Sequence, residues 1–311
     1  MRHFLADDDL SPAEQTEVLD LAARLKRAPY DSRPLDGPRT VAMIFDKPTL
    51  RTQASFAAGI AELGGHPMLV DGKLAGIGVR ESVADVARVL GRQASLIVWR
   101  TFAQSALEDM AANAGVPVVN ALTDDFHPCQ LLADLQTVRE RKGDLSGLRV
   151  AFVGDGACNM GNSWLLAGAT AGMHVVIGAP EEYRPATPMF DRARKIATGT
   201  GGSVDSETDP RVAVEGADVV VTDTWVSMGK EDEAEARRRI FAPYQVTSEL
   251  MAIAQPDAIV MHCLPAYRGL EIDSDVLDGP QSVVWDEAEN RRHAQKAILH
   301  FLLAPTGGGD D

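Results

Sequence analysis

Cysteine is scarce in this chain, and what little there is follows no pattern. Cys129, Cys158 and Cys263 are an odd number, widely spaced and without paired zinc-ligand spacing. That argues against a disulfide framework and against a structural metal, and implies three free thiols. No stretch supplies the roughly 18 unbroken apolar residues that a membrane-spanning helix needs. The start, MRHFLADDDLSPAEQ, lacks the apolar segment of a signal peptide, so the expected location is cytoplasmic. Basic residues are outnumbered: 30 lysines and arginines stand against 45 aspartates and glutamates, a net charge of -15. Such a surface repels nucleic acid and anionic membranes, and any anionic substrate needs a local basic pocket. Solenoid repeats and low-complexity segments are also missing until the end, where residues 304–311 (APTGGGDD) read as a disordered tail.

What is present is ordinary globular material, 45% hydrophobic and 24% charged. A chain of 311 residues suits two α/β domains of about 150 residues each. Ser11 and Glu14 stand in capping-box spacing ahead of apolar residues at helical period, so 11–28 is expected to be an amphipathic helix. After it, short apolar runs alternate with helical segments: TVAMIF (40–45), PMLV (67–70), SLIVW (95–99), PVVNAL (117–122), LRVAFVG (148–154), HVVIGAP (174–180), ADVVVTD (217–223), AIVMHC (258–263) and SVVW (282–285). This alternation implies βαβ crossovers and parallel sheets flanked by helices. The charged, glycine-bearing segment 139–150 separates four runs from five. The expectation is therefore an α/β chain of two domains, 1–138 and 148–286, with a final helix at 287–303 returning to complete the first.

In open α/β sheets ligands bind beyond the carboxyl ends of the strands, so the loops after each run carry the search for function. Asp46 to Gln53 places hydroxyls, Arg51 and backbone N–H groups at a helix start, which suits phosphate or another small anion. An ordinary N-cap threonine with solvated basic neighbours fits that loop equally well. Arg100 ends the run SLIVW. His127 and Gln130 are three apart across a helix start and can face one ligand. Gly154 to Ser163 resembles a dinucleotide loop only in part, because Asn159 replaces the third glycine; an asparagine there could bind a polar substrate instead. Asp223 could pair with a substrate ammonium, and Ser227 and Met228 could hold other polar groups. Cys263 ends a buried run, where thiols are usually inert, which argues against nucleophilic catalysis.

With these loops in order, the sequence resembles the ornithine carbamoyltransferases over roughly residues 2–303. The matching pieces are Lys47-Pro48-Thr49-Leu50-Arg51-Thr52, Trp99-Arg100-Thr101, Phe126-His127-Pro128-Cys129-Gln130, Asp223 to Gly229 with its S-M-G loop, His262-Cys263-Leu264-Pro265 and Asp286 to Arg291. Aspartate carbamoyltransferases share the first of these but not the S-M-G loop. The resemblance implies the transcarbamylase fold, no metal and no organic cofactor, and a homotrimer with active sites shared between subunits. It assigns carbamoyl phosphate to Thr49, Leu50, Arg51, Thr52, Arg100, His127, Gln130, Cys263, Leu264 and Arg291, and ornithine to Asn159, Asp223, Ser227 and Met228. Arg51, Arg100, His127, Asp223 and Cys263 are the residues it places in catalysis. The implied reaction is attack of the neutral δ-amine on the carbamoyl carbon, giving citrulline for arginine biosynthesis.

The departures from the family pattern lie on the carbamoyl phosphate side. Where the family usually reads S-T-R-T-R, this chain reads Thr49-Leu50-Arg51-Thr52-Gln53, so one hydroxyl and one arginine are missing. Gly76 stands where a neighbouring subunit would contribute a glutamine, Arg80 keeps a positive charge in that loop, and Tyr267 stands where relatives often have histidine. Two alternatives follow: a paralogue acting on an ornithine-like amino acid or with another donor, and a non-catalytic ornithine-binding relative. Retention of Arg51, Arg100, His127, Cys263 and Arg291 argues against the second.

Overall fold

The computed structural model describes residues 1–226 and 231–304. Ser227 and Met228, and the tail from 305 onward, lie outside the described residues. The chain divides into two units, one of Met1–Gln136 with Glu289–Asp311 and one of Thr137–Ala288.

The first unit holds four parallel strands, β1 (Thr40–Phe45), β2 (His66–Asp71), β3 (Leu96–Arg100) and β4 (Val118–Leu122), in the order β2-β1-β3-β4. Its helices are α1 (Pro12–Arg27), α2 (Arg51–Glu62), α3 (Val83–Leu90) and α4 (Gln104–Ala114), and α5 (Pro128–Lys142) starts within it. Helix α1 begins where its sequence says. The Ser11 N–H donates to Glu14 Oε2 at 2.9 Å, and the Ser11 hydroxyl accepts from the Glu14 N–H at 3.4 Å. Strands β3 and β4 are buried along their whole length. Side chains alternate between the faces of a strand, so burial of every position means that both faces are covered. Strand β2 is the half-exposed edge, where Pro67 is tolerated.

The second unit holds β5 (Arg149–Val153), β6 (His174–Gly178), β7 (Ser203–Glu207), β8 (Val219–Thr222) and β9 (Ile259–His262), all parallel, in the order β7-β6-β5-β8-β9. Helices α6 (Asn159–Thr170), α7 (Thr187–Thr200), α8 (Pro210–Val214) and α9 (Ala234–Phe241) accompany them. Two elements differ from the reading of the apolar runs. Strand β7, SVDSE, is polar and was not anticipated; as an edge strand it is held by backbone pairing to β6, with Val204 its one buried side chain. The run SVVW (282–285) is not a fifth strand. Its pairing stops at single contacts with Val260, and Val284 and Trp285 instead open the last helix, α10 (Val284–Leu303), whose first turn carries Asp286 and Glu287. Acidic side chains suit a helix N-terminus electrostatically.

From Glu289 onward α10 belongs to the first unit. The fully buried Lys296 ammonium reaches Glu62 Oε2 and the Pro29 carbonyl, both at 2.6 Å. Gly59 of α2 allows this approach, since a β-carbon there would lie 3.0 Å from Lys296 Cγ. No helix among the described residues is long and apolar enough to cross a membrane.

Candidate active site

In the first unit, β1 runs out at Phe45 and the chain turns through Asp46 to Leu50 before α2 begins at Arg51. The N-cap is Leu50, which makes no capping bond with its side chain and is 77% exposed. Thr49 serves that purpose instead, its hydroxyl accepting from the Thr52 N–H at 3.3 Å. Both readings of this loop therefore meet in one place: a threonine caps the helix, and the helix start is the end that favours an anion. Arg51 is half-buried at the first helical position.

Thr52 is buried and is the common acceptor of two arginines. Arg100, the last residue of β3, donates to its hydroxyl at 3.4 Å, and Arg291 of α10 at 2.8 Å. Arg291 also donates to Gln130 Oε1 at 2.6 Å, and the Gln130 amide donates to Asp134 at 2.8 Å. Beside them lies His127, 4% exposed. Its pKa sits well below the usual imidazole range, first because burial penalises the charged form and then because Arg291, Arg100 and Lys47 repel a further proton. Burial and these three cations favour the neutral imidazole, which can donate a hydrogen bond without being an acid.

Lys47 was not singled out from sequence. It is buried, pairs with Asp124, and lies 4.4 Å from the centroid of the Phe102 ring. The available signal was its place directly behind a strand in the anion-suited loop. Gly76, where the resemblance implies a glutamine from a neighbouring subunit, caps the short turn Gly72–Ala75 with φ +66°, a left-handed conformation that glycine adopts without strain.

In the second unit, Asp223 follows β8. Its Oδ1 accepts from the Thr224 N–H at 2.7 Å and from the Cys263 thiol at 3.2 Å. Burial raises its carboxyl above the usual carboxylate range, against the opposing pull of His262, the Thr224 N–H and Cys263. Cys263 and Leu264 follow β9. Leu264 is left-handed, with φ +57°, a conformation disfavoured for a branched residue. The Leu264 N–H donates to His262 Nδ1 at 2.9 Å, which leaves the ring proton on Nε2 facing Glu271 at 3.2 Å. Glu271 also accepts from the Tyr267 N–H at 2.6 Å, so one buried carboxylate holds the whole His262–Tyr267 turn. Neither His262 nor Glu271 was weighed from sequence.

Asn159 is the first residue of α6, behind Cys158, whose sulfur accepts from the Gly161 N–H at 3.5 Å. Burial and the neighbouring Asp155 and Asp223 push the Cys158 thiol well up, and burial pushes Cys129 up; neither is a ready nucleophile. Donor atoms of Asp223, His262 and Cys263 lie within 4.8 Å of one another, close enough for a metal. Both ring nitrogens of His262 are already hydrogen-bonded and the Cys263 thiol is spent on Asp223, so these groups satisfy one another without one. Of the sequence candidates, then, Thr49, Thr52, Arg100, His127, Gln130 and Arg291 gather in the first unit and Asp223, Cys263 and Leu264 in the second.

Two parallel-sheet units, one with Arg100, Arg291 and Lys47 gathered around a buried histidine and the other with a buried carboxylate at a strand end, make a two-domain α/β protein. A family model described as the carbamoyl-P binding domain of aspartate/ornithine carbamoyltransferase matches residues 2–140, and one described as the Asp/Orn binding domain matches 146–302. The chain belongs to the aspartate/ornithine carbamoyltransferase family. It is 62% identical to the ornithine carbamoyltransferase of Clavibacter michiganensis, over 97% of this chain and 98% of that one. Among solved structures it is similar to ornithine carbamoyltransferase from Pyrococcus furiosus, with a TM-score of 0.94, 43% identity and 98% of each chain covered. It is also similar to an N-acetyl-L-ornithine transcarbamylase variant, with a TM-score of 0.87, 32% identity, and 97% of this chain and all of that one covered.

Proposed function

We propose that the chain transfers the carbamoyl group of carbamoyl phosphate to the δ-amine of L-ornithine, giving L-citrulline and phosphate. One observation carries the donor side: the buried Arg100–Thr52–Arg291–Gln130 network around a neutral His127. A phosphate dianion, with Arg51 and the α2 N-terminus beside it, is the kind of ligand that such a cluster suits. On the acceptor side Asp223 takes the amino group, together with Asn159, Ser227 and Met228.

The neutral δ-amine attacks the carbamoyl carbon and forms a C–N bond. The tetrahedral intermediate then collapses, breaking the C–O bond to phosphate. Arg51 and Arg291 stabilise charge on the departing phosphate, while Arg100 and His127 polarise the carbamoyl oxygen. A low pKa suits His127 to this, since it donates a hydrogen bond yet holds its proton. Asp223 and Cys263 orient the amine. The nitrogen gives up one proton, for which the leaving phosphate is a base that the reaction itself supplies.

The finer parts of the reading are a cytoplasmic place in arginine biosynthesis and a homotrimer. Leu50, Leu69, Leu74 and Val79 of the first unit are 77%, 59%, 82% and 94% exposed, which supports a surface that another copy covers. Light scattering at about three times the 33.4 kDa chain mass would support the trimer. The reaction is tested by citrulline formation and phosphate release with both substrates; no turnover of that pair would sink it.

A second reading, favoured by the apolar, exposed Leu50 at the α2 N-cap, is a paralogue with an altered donor or an ornithine-like acceptor. Losing one neutral phosphate contact costs about 1 kcal/mol, which weakens donor binding without abolishing it. A substrate panel with ornithine clearly the best acceptor would count against this second reading.

A further inference from the structure

Arg237, on α9, touches none of the described residues given to either substrate, yet it is 1% exposed. Its Nη2 donates to Asp155 in a buried ion pair, and its Nε donates to the Trp225 carbonyl at 2.5 Å. The guanidinium carbon lies 5.0 Å from the centroid of the Tyr183 ring and 5.1 Å from that of Phe241. Trp225 in turn stacks on Phe241 at 6.1 Å. The sheet already pairs the ends of β5 and β8, Val153 beside Thr222; the Arg237 contacts join the two loops further out, beyond those strand ends. Asp155 belongs to the loop after β5, where its other oxygen accepts from the Ala157 N–H at 3.1 Å, just ahead of Asn159. Trp225 belongs to the loop after β8, two residues beyond Asp223.

We propose that Arg237 is a positioning residue for the acceptor: by bridging Asp155 and the Trp225 carbonyl it sets the separation of Asn159 and Asp223, and with it the affinity for the amino-acid substrate. A planar guanidinium can serve a carboxylate and a carbonyl at once while stacking between rings, which an ammonium cannot do. Without it, Asp155 would be a buried carboxylate with no cation beside it among the described residues, and the two loops would lose the side-chain bridge beyond their strand ends. The inference rests on the assignment of Asn159 and Asp223 to the amino acid.

The test uses the full-length enzyme with Arg237→Met, Arg237→Lys and Asp155→Asn, their combination, and Asp223→Asn as control. Arg237→Met is expected to raise KM for ornithine about tenfold, with KM for carbamoyl phosphate within about twofold. Asp155→Asn should show the same split, the double variant should be no worse than Arg237→Met, and Arg237→Lys should fall between. A parallel rise in both KM values, a fall in kcat with both unchanged, or full additivity with Asp155→Asn would overturn the proposal. If Arg237→Met does not fold, Arg237→Lys and Asp155→Asn read the same split. Asp223→Asn with an unchanged KM for ornithine would instead overturn the acceptor assignment itself, whereas a raised KM there, with Arg237 variants silent, overturns only the role of Arg237.

Discussion

The Arg291 guanidinium donates to the Thr52 hydroxyl at 2.8 Å across 239 positions of sequence. That bond brings the last helix onto the first turn of α2, and the donor cluster is complete only because α10 packs into the first unit. Arg291→Ala should therefore lower kcat/KM for carbamoyl phosphate by about 10²- to 10³-fold, the usual scale for a lost transition-state donor. Initial rates with each substrate varied in turn check this; a loss confined to KM for ornithine would contradict it.

Asp223 gives a pH signature. Its carboxylate accepts fully from the substrate's amino group only when ionised, and burial raises its pKa, so acceptor affinity should fall with acidification at a pH above that of an ordinary aspartate. Ornithine KM measured against pH should show this acid limb in the native enzyme, and Asp223→Asn should lack it while binding ornithine weakly throughout.

His293 gives a different one, in stability rather than affinity. It is 1% exposed, and burial, helped by Arg292 and Lys296, lowers its pKa from 6.5 to about 4. The unfolded chain thus takes up this proton more readily than the folded one. The contribution is fully present above pH 6.5 and is lost progressively as pH falls towards 4. The Tm of the native enzyme should fall more steeply over that window than the Tm of His293→Gln.

Lys296 is fully buried between Glu62 and the Pro29 carbonyl. Lys296→Met should destabilise the protein by about 3 kcal/mol, because it leaves the Glu62 carboxylate with only Arg292 for company. Urea unfolding measures this, and a neutral result would mean that the methionine's packing makes up for the lost pair.

Gln53 stands in the loop proposed to hold the donor, at the position where the resemblance leads one to expect an arginine. Gln53→Arg should lower KM for carbamoyl phosphate about tenfold, on the scale of one charged hydrogen bond of about 1.5 kcal/mol. No change in that KM would mean that position 53 does not reach the donor.

The sequence by itself determined whatever depends on near neighbours. The capping box at Ser11 and Glu14, the apolar runs of the inner strands, the helix start after His127 and the strand end at Arg100 are local signals, with period and cap chemistry readable within a few residues. Tertiary structure decided the rest, for two physical reasons. An edge strand such as β7 is held by backbone bonds, so its side chains need not be apolar, and SVVW becomes a helix start because its neighbours limit it to single contacts with Val260. The neutrality of His127, the burial of Lys47, the two arginines on Thr52 and the Arg237 bridge all depend on groups far apart in sequence, and on the removal of water that only packing achieves.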